Sequence, residues 1–314
     1  MLCIYPDKTT WISQRAGRVT GTRVAAALGF HPFQSPLQTY HDLRGELGLG
    51  PRQPAIEVTP RMRRGVHLQA GIAAWYAEET GREVMPTPPW ALAVHPEHPK
   101  LAASLDLYQW KQPPTHDGRG LLEIKSTSHW AAGRWAAEAP LEATCQLYWQ
   151  MACMGAESGA WGTVAGDVGG EMVYHDVERD EEMIALLVRG GLQFLDAVRR
   201  GDPPAARAAD LGLLNRLAGD KGPTIMLPSE AVDLHAQIET AKGAAKDAEA
   251  VASDCKARLA VLLGEAACGV IPGEGVAWRR KLVERHAKAC PVCGHAEPPI
   301  LYIDFRACKA PKGF

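Results

Sequence analysis

Apolar positions recur three to four residues apart through residues 60–80. Val66, Leu68, Ile72, Trp75 and Tyr76 fall mostly on one helical face, and Gly81 follows as a C-cap. Between residues 83 and 127 the pattern shortens to strand-like runs: EVMPTPPWALAV, LAASLDLYQW and GLLEIKS. The turn-forming KQPPTHDGRG joins the last two as a hairpin. Upstream, Thr10 to about Gly48 reads as helical with a break at GFHPFQSP, where Gly29, Pro32 and Pro36 favour a loop. Downstream, a helix from Pro140 to about Gly155, strands near AWGTVAG and EMVYHDVER, and a helix from about Asp180 to Arg200 complete a mixed α/β layout.

The pattern changes again from Ser229 to Gly264. Leu234, Ile238, Ala241, Ala245, Ala248, Ala252, Cys255, Leu259 and Leu262 alternate four and three apart, a heptad seam with small residues in its middle. It predicts either a long helix lying on its own chain or an intermolecular coiled coil. The organisation expected is a core at 1–205, a linker at 206–228, a long helix or coiled-coil region at 229–266, and a C-terminal segment at 267–314.

Composition narrows the class. With 46% hydrophobic and 22% charged residues in 314, the chain reads as globular. No apolar run approaches the roughly 20 residues that span a bilayer, and the N-terminus lacks a basic-then-apolar signal pattern. We therefore expect a soluble, cytoplasmic protein with no membrane partner. Net charge is −2, so there is no global basic signature of nucleic-acid binding; Arg61, Arg63 and Arg64 do cluster locally, a pattern that more commonly marks a solvated face than a phosphate site. Of eight cysteines, five are scattered through apolar surroundings and read as reduced core thiols. In the tail, Cys290-x-x-Cys293 followed by His295 has the spacing of a zinc knuckle, with His286 or Cys308 available as a further ligand; two free cysteines are the alternative.

The stretch LLEIKSTS carries the chemistry. Leu121, Leu122 and Ile124 are strand-forming, yet Glu123 and Lys125 project from one face because side chains at i and i+2 share a face. Either they form a surface ion pair on an edge strand, or they line an active site. Asp106 lies at the end of a strand candidate, before the turn that leads to Glu123, and can meet them at one point. Two carboxylates together repel unless a cation lies between them. Oxygen donors with open positions suit Mg²⁺ or Mn²⁺, and a lysine beside such a metal can hold or polarise a water. That is equipment for metal-assisted attack on a phosphodiester.

The surroundings extend this. Trp11, Arg15, Gly17, Val19, Thr20, Gly21 and Thr22, then Gly65 and Gln69 with Tyr76, then Ser104 and Asp106, Glu123-Ile124-Lys125, and Gln146 with Gln150 occur in an order that resembles the YqaJ and lambda-exonuclease family of viral recombination nucleases, within the PD-(D/E)XK superfamily. The resemblance covers roughly residues 8–200. It implies an α/β fold, a PD-(D/E)XK nuclease core with a central mixed sheet flanked by helices, to which the long helix and short Cys-containing tail are appended. It implies Asp106, Glu123 and the Ile124 carbonyl as metal ligands, with Lys125 orienting and activating water. Arg15, Thr22 and Ser104 match positions that hold a terminal 5′ phosphate. Gln146 and Gln150, one turn apart, match a glutamine-bearing helix beside the active site; two polar residues on an exposed face are the alternative.

At Gln69 the chain departs from the family, which has glutamate there. The amide still offers a carbonyl oxygen but removes a charge. An inactivating substitution, a natural variant with altered metal affinity, and a protein that binds DNA ends without cutting all fit. The function expected is a Mg²⁺-dependent exonuclease acting 5′ to 3′ on linear duplex DNA to leave 3′ single strands for recombination; the alternative is a non-cleaving end-binding protein. The resemblance further implies a phage or prophage origin, a bacterial host cell, a toroidal homotrimer and a single-strand annealing protein as partner.

Overall fold

The computed structural model describes residues 1–54, 58–111, 118–127, 132–135, 137–155, 159–218, 223–285 and 300–310. It contains two units, 1–222 and 223–314. The first unit runs β1 (Leu2–Ile4), α1 (Lys8–Arg15), α2 (Gly21–Ala27), α3 (Pro36–Glu46), α4 (Pro60–Thr80), β2 (Glu83–Pro86), β3 (Ala91–Val94), β4 (Ala102–Ala103), β5 (Leu107–Trp110), β6 (Arg119–Thr127), α5 (Ala132–Trp135), α6 (Leu141–Met154), β7 (Trp161–Val168), β8 (Met172–Glu178), α7 (Glu181–Arg200) and α8 (Leu211–Ala218).

A five-stranded sheet ordered β2-β5-β6-β7-β8 forms the frame. Only β6 and β7 pair in parallel, with Glu123 opposite Val164 and Lys125 opposite Gly166; the other pairings are antiparallel. The parallel pair requires a crossover, and α6 lies within it. One face of β6 buries Leu121 in the larger core with α6, while Leu122 and Ile124 pack on α4 through Ile72, Ala73 and Tyr76. β6 is thus central and covered on both faces. A smaller sheet, β1-β3-β4, lies beside it.

Helix α4 begins at Thr59, whose hydroxyl accepts from Met62 N, and ends at Gly81 with φ 66°, a left-handed cap open to glycine. Its apolar face is narrower than the sequence pattern suggests: Val66 is 74% exposed, while Ile72, Ala73 and Tyr76 are buried. Between α4 and the sheet lies a polar cluster, buried at Tyr76 and Gln109 and reaching the surface at Asp176. Tyr76 donates to Gln109 Oε1 at 2.6 Å, and the Arg82 guanidinium binds Asp176 through two bonds of 2.7 and 2.6 Å. The stretch expected as a linker is folded in part. Leu213 of α8 is buried in the core, and Asp210 accepts from the hydroxyl of Ser35.

The second unit holds α9 (Glu230–Leu263), β9 (Cys268–Ile271), β10 (Val276–Arg285) and β11 (Ile300–Lys309). The heptad seam is one continuous helix, and among its positions Leu234, Ile238 and Leu262 are more than half exposed. The C-terminal segment forms a three-stranded antiparallel sheet, which the sequence reading did not anticipate. Arg280 of β10 donates to the carbonyls of Ala260 and Gly264 and so caps α9. Cys308 sits in β11 opposite Ala277; His286, Cys290, Cys293 and His295 lie outside the described residues. No described helix is long and apolar enough to cross a membrane.

Candidate active site

Glu123 is 2% exposed in the middle of the central strand, which rules out a surface ion pair on an edge. Burying a carboxylate is costly unless its oxygens are satisfied, and three donors satisfy it. Lys125 Nζ lies 2.5 Å and Gln146 Nε2 2.7 Å from Oε1, while Gln150 Nε2 lies 2.6 Å from Oε2. Gln146 closes the triangle by accepting from Lys125 Nζ at 3.0 Å. The two glutamines therefore turn inward from α6, and the exposed-face alternative does not hold. Gly21 lets this happen: a Cβ there would lie 2.8 Å from Gln146 Cγ, so α2 can close on α6 only with glycine at that position.

Asp106 precedes β5 and comes to the same point because β5 and β6 pair with Leu107 opposite Leu122. Its Oδ2 accepts from Ile124 N at 3.1 Å, and the Gln69 side chain also hydrogen-bonds to it. Burial and the charge of Glu123 push its carboxyl up to about 7, against the smaller opposing pull of Lys125. Burial alone would lower the Lys125 pKa, but Glu123's charge and hydrogen bond, with Asp106's charge, carry it above its ordinary value. Lys125 is therefore an ammonium at neutral pH. It can donate to water or to a phosphoryl oxygen.

Beside Asp106 opens a cleft of about 390 Å³. Gln69, Ser104 and Asp106 form its polar side; Trp11, Trp90 and three prolines form its apolar side. The Ser104 hydroxyl is buried without a hydrogen-bond partner among the described residues, and so is Arg15 Nε. The Arg15 guanidinium lies 4.4 Å over the ring of Trp11, which lines the cleft. Thr22 stands exposed in the first turn of α2, next to the glycine that abuts Gln146. Glu123, Lys125, Gln146 and Gln150 thus meet directly, and Asp106 is held beside them by the Ile124 backbone, with Gln69 next to it. Arg15 and Ser104 flank the cleft instead. Trp90, which no motif in the sequence marks, lines this cleft with a φ of 58°, unusual for a bulky residue.

The donor set suits a hard cation only in part. Two carboxylates, the Ile124 carbonyl and an amide oxygen at Gln69 are oxygen ligands of the right kind, and the raised Asp106 pKa shows that this spot favours added positive charge. Among the described residues, no group of three His, Cys, Asp or Glu side chains gathers to hold a metal, which is what glutamine at position 69 leaves.

Residues 10–157 match the family model described as YqaJ-like viral recombinase domain. The curated "Uncharacterized protein YqaJ" of Bacillus subtilis (strain 168) is 22% identical over 203 residues, covering 63% of this chain and 59% of that protein. The chain thus spans under two thirds of that relative's length. Among solved structures, the alkaline exonuclease LHK-Exo from Laribacter hongkongensis superposes with a TM-score of 0.50 at 24% identity, over 67% of this chain and 98% of that one. The same holds for its complex with dAMP. These structures establish a shared fold.

Proposed function

We propose, on the match of residues 10–157 to the YqaJ-like viral recombinase domain, that the protein is a metal-dependent deoxyribonuclease that shortens linear double-stranded DNA from its ends. The observation that carries this is Asp106 and Glu123 held together with the ammonium of Lys125 at the edge of a cleft. A divalent cation, Mg²⁺ or Mn²⁺, would be held by Asp106, Glu123, the Ile124 carbonyl and, weakly, Gln69; bound there it would supply Lewis-acid stabilisation of the phosphoryl charge.

The chain's own residues do the rest. Gln146 and Gln150 fix Glu123 by donating to both its oxygens, so its carboxylate needs no reorganisation during the reaction. Lys125 donates toward the attacking water or the phosphoryl oxygens and balances the buried carboxylates. Arg15 and Ser104 offer unpartnered donors at the cleft, and with Thr22 they suit a terminal 5′ phosphate. That clamp is the basis for reading 5′-to-3′ polarity and 3′ single-stranded products for phage-type recombination. DNA ends are then the primary partner; the homotrimeric ring and the annealing protein belong to the same reading by family analogy.

The test is nucleotide release with Mg²⁺ from linear 5′-phosphorylated duplex and from covalently closed circles, by the protein and by Gln69→Glu. Release from linear DNA alone supports an end-dependent exonuclease. Neither form cutting, with DNA ends still bound, would replace this reading by the non-cleaving end-binding protein that Gln69 also accommodates. Zinc in the tail is a separate proposal, tested by metal analysis of the purified chain before and after Cys290→Ser.

A further inference from the structure

Strand β6 does not end its chemistry at Lys125. The next two residues, Ser126 and Thr127, line a second cavity of about 300 Å³ whose other walls are Pro60, Arg61 and Arg64 of α4. Alternation along the strand turns Ser126 away from Lys125 and toward the face on which α4 packs. Its hydroxyl is buried without a hydrogen-bond partner among the described residues, which leaves a donor to be satisfied. The first turn of α4 has no acidic residue, so the helix dipole there adds positive potential with nothing on its own turn to offset it. Arg64 comes within 3.7 Å of Asp167, a loose contact that leaves most of its N–H groups unused. The Arg61 guanidinium lies over the Phe33 ring at 5.4 Å, a stacking that orients it without occupying its donors.

We propose that this cavity holds a backbone phosphate of the bound DNA strand. Two guanidiniums, a helix start and a buried hydroxyl match a phosphodiester with two free oxygens. The site would hold the strand in register while the neighbouring phosphate is attacked. It rests on the nuclease reading and extends the substrate contact beyond the cleft at Asp106.

The test is fluorescence anisotropy of the full chain with a 5′-phosphorylated duplex in EDTA, from 50 to 200 mM KCl. Arg61→Ala/Arg64→Ala should weaken binding roughly 10- to 100-fold and flatten the plot of log K against log salt by about 0.9 per lost phosphate contact. Arg61→Lys/Arg64→Lys keeps both charges and should keep the slope. Ser126→Ala should weaken binding several-fold with the slope unchanged. Arg63→Ala is the matched control, an exposed neighbour that does not line the cavity, and should change affinity least. Wild-type binding with an unaltered slope in the double alanine variant, or an equal effect from Arg63→Ala, overturns this inference alone. Wild-type protein that binds no DNA overturns it together with the nuclease reading.

Discussion

Asp106→Asn offers the sharpest test of the site's electrostatics, because it should stabilise the protein without metal. Folded Asp106 keeps its proton up to about 7, whereas an unfolded aspartate releases it near 3.9. Between these values the folded state binds more protons than the unfolded state, so stability falls as pH rises through that window. The full difference of about 3 pKa units corresponds to about 4 kcal/mol at most; sharing between Asp106 and Glu123 reduces what one substitution recovers, so about 2–4 kcal/mol is expected at pH 8. Asparagine keeps an oxygen to accept from Ile124 N, so the hydrogen bond survives while the charge goes. For a unit of this size that is a rise in Tm of roughly 5–10 °C. The assay is thermal unfolding in EDTA from pH 4 to 8. The wild-type deficit should vanish near pH 4 and grow above pH 5. Adding Mg²⁺ or Mn²⁺ should recover stability in the wild type and little in the variant. A difference between the two proteins that stays constant with pH would refute the reasoning.

Three further outcomes follow from the same geometry. Gln69→Glu restores a carboxylate beside Asp106 and should raise divalent-cation affinity at least tenfold, since a unit charge at about 4 Å is worth up to about 4 kcal/mol at an effective dielectric near 20; calorimetric Mn²⁺ titration reads it, and equal affinity in both forms refutes it. Gln150→Ala strips the donor from Glu123 Oε2 and should cost about 1–3 kcal/mol in stability, together with a larger loss in kcat than in KM, read by chemical denaturation and steady-state kinetics. Arg82→Met breaks the paired contact to Asp176 and the bond to Tyr76. It should destabilise the first unit by about 2–3 kcal/mol yet leave Mn²⁺ affinity unchanged, separating framework from site.

How legible the site was depended on how local its parts are. The Glu123–Lys125 pairing follows from the two-residue period of a strand, and α4 from its apolar spacing and Gly81, so both could be read in the chain itself. The inward turn of Gln146 and Gln150 could not, because one polar helix face looks the same whether solvent or a buried carboxylate lies opposite. Tyr76 shows the converse. It falls within the matched motif order, yet it serves the buried cluster with Gln109 and Arg82 and does not face the cleft. Arg61 and Arg64 read as a solvated cluster until the end of β6 is placed beside them.

Periodicity and residue type, which act over a few positions, were enough to place α4, α6, α7, α9 and the strands flanking Asp106 and Glu123, and to pick out the residues able to carry phosphodiester chemistry; β1 and α8, short and packed by distant partners, were not legible. That β6 is a central strand, that Asp106 and Glu123 come to one buried spot, and that Lys125 stays charged beside them emerged from the packing of the whole unit. The physical reason is that burial and charge proximity depend on strand register and helix packing between residues tens of positions apart.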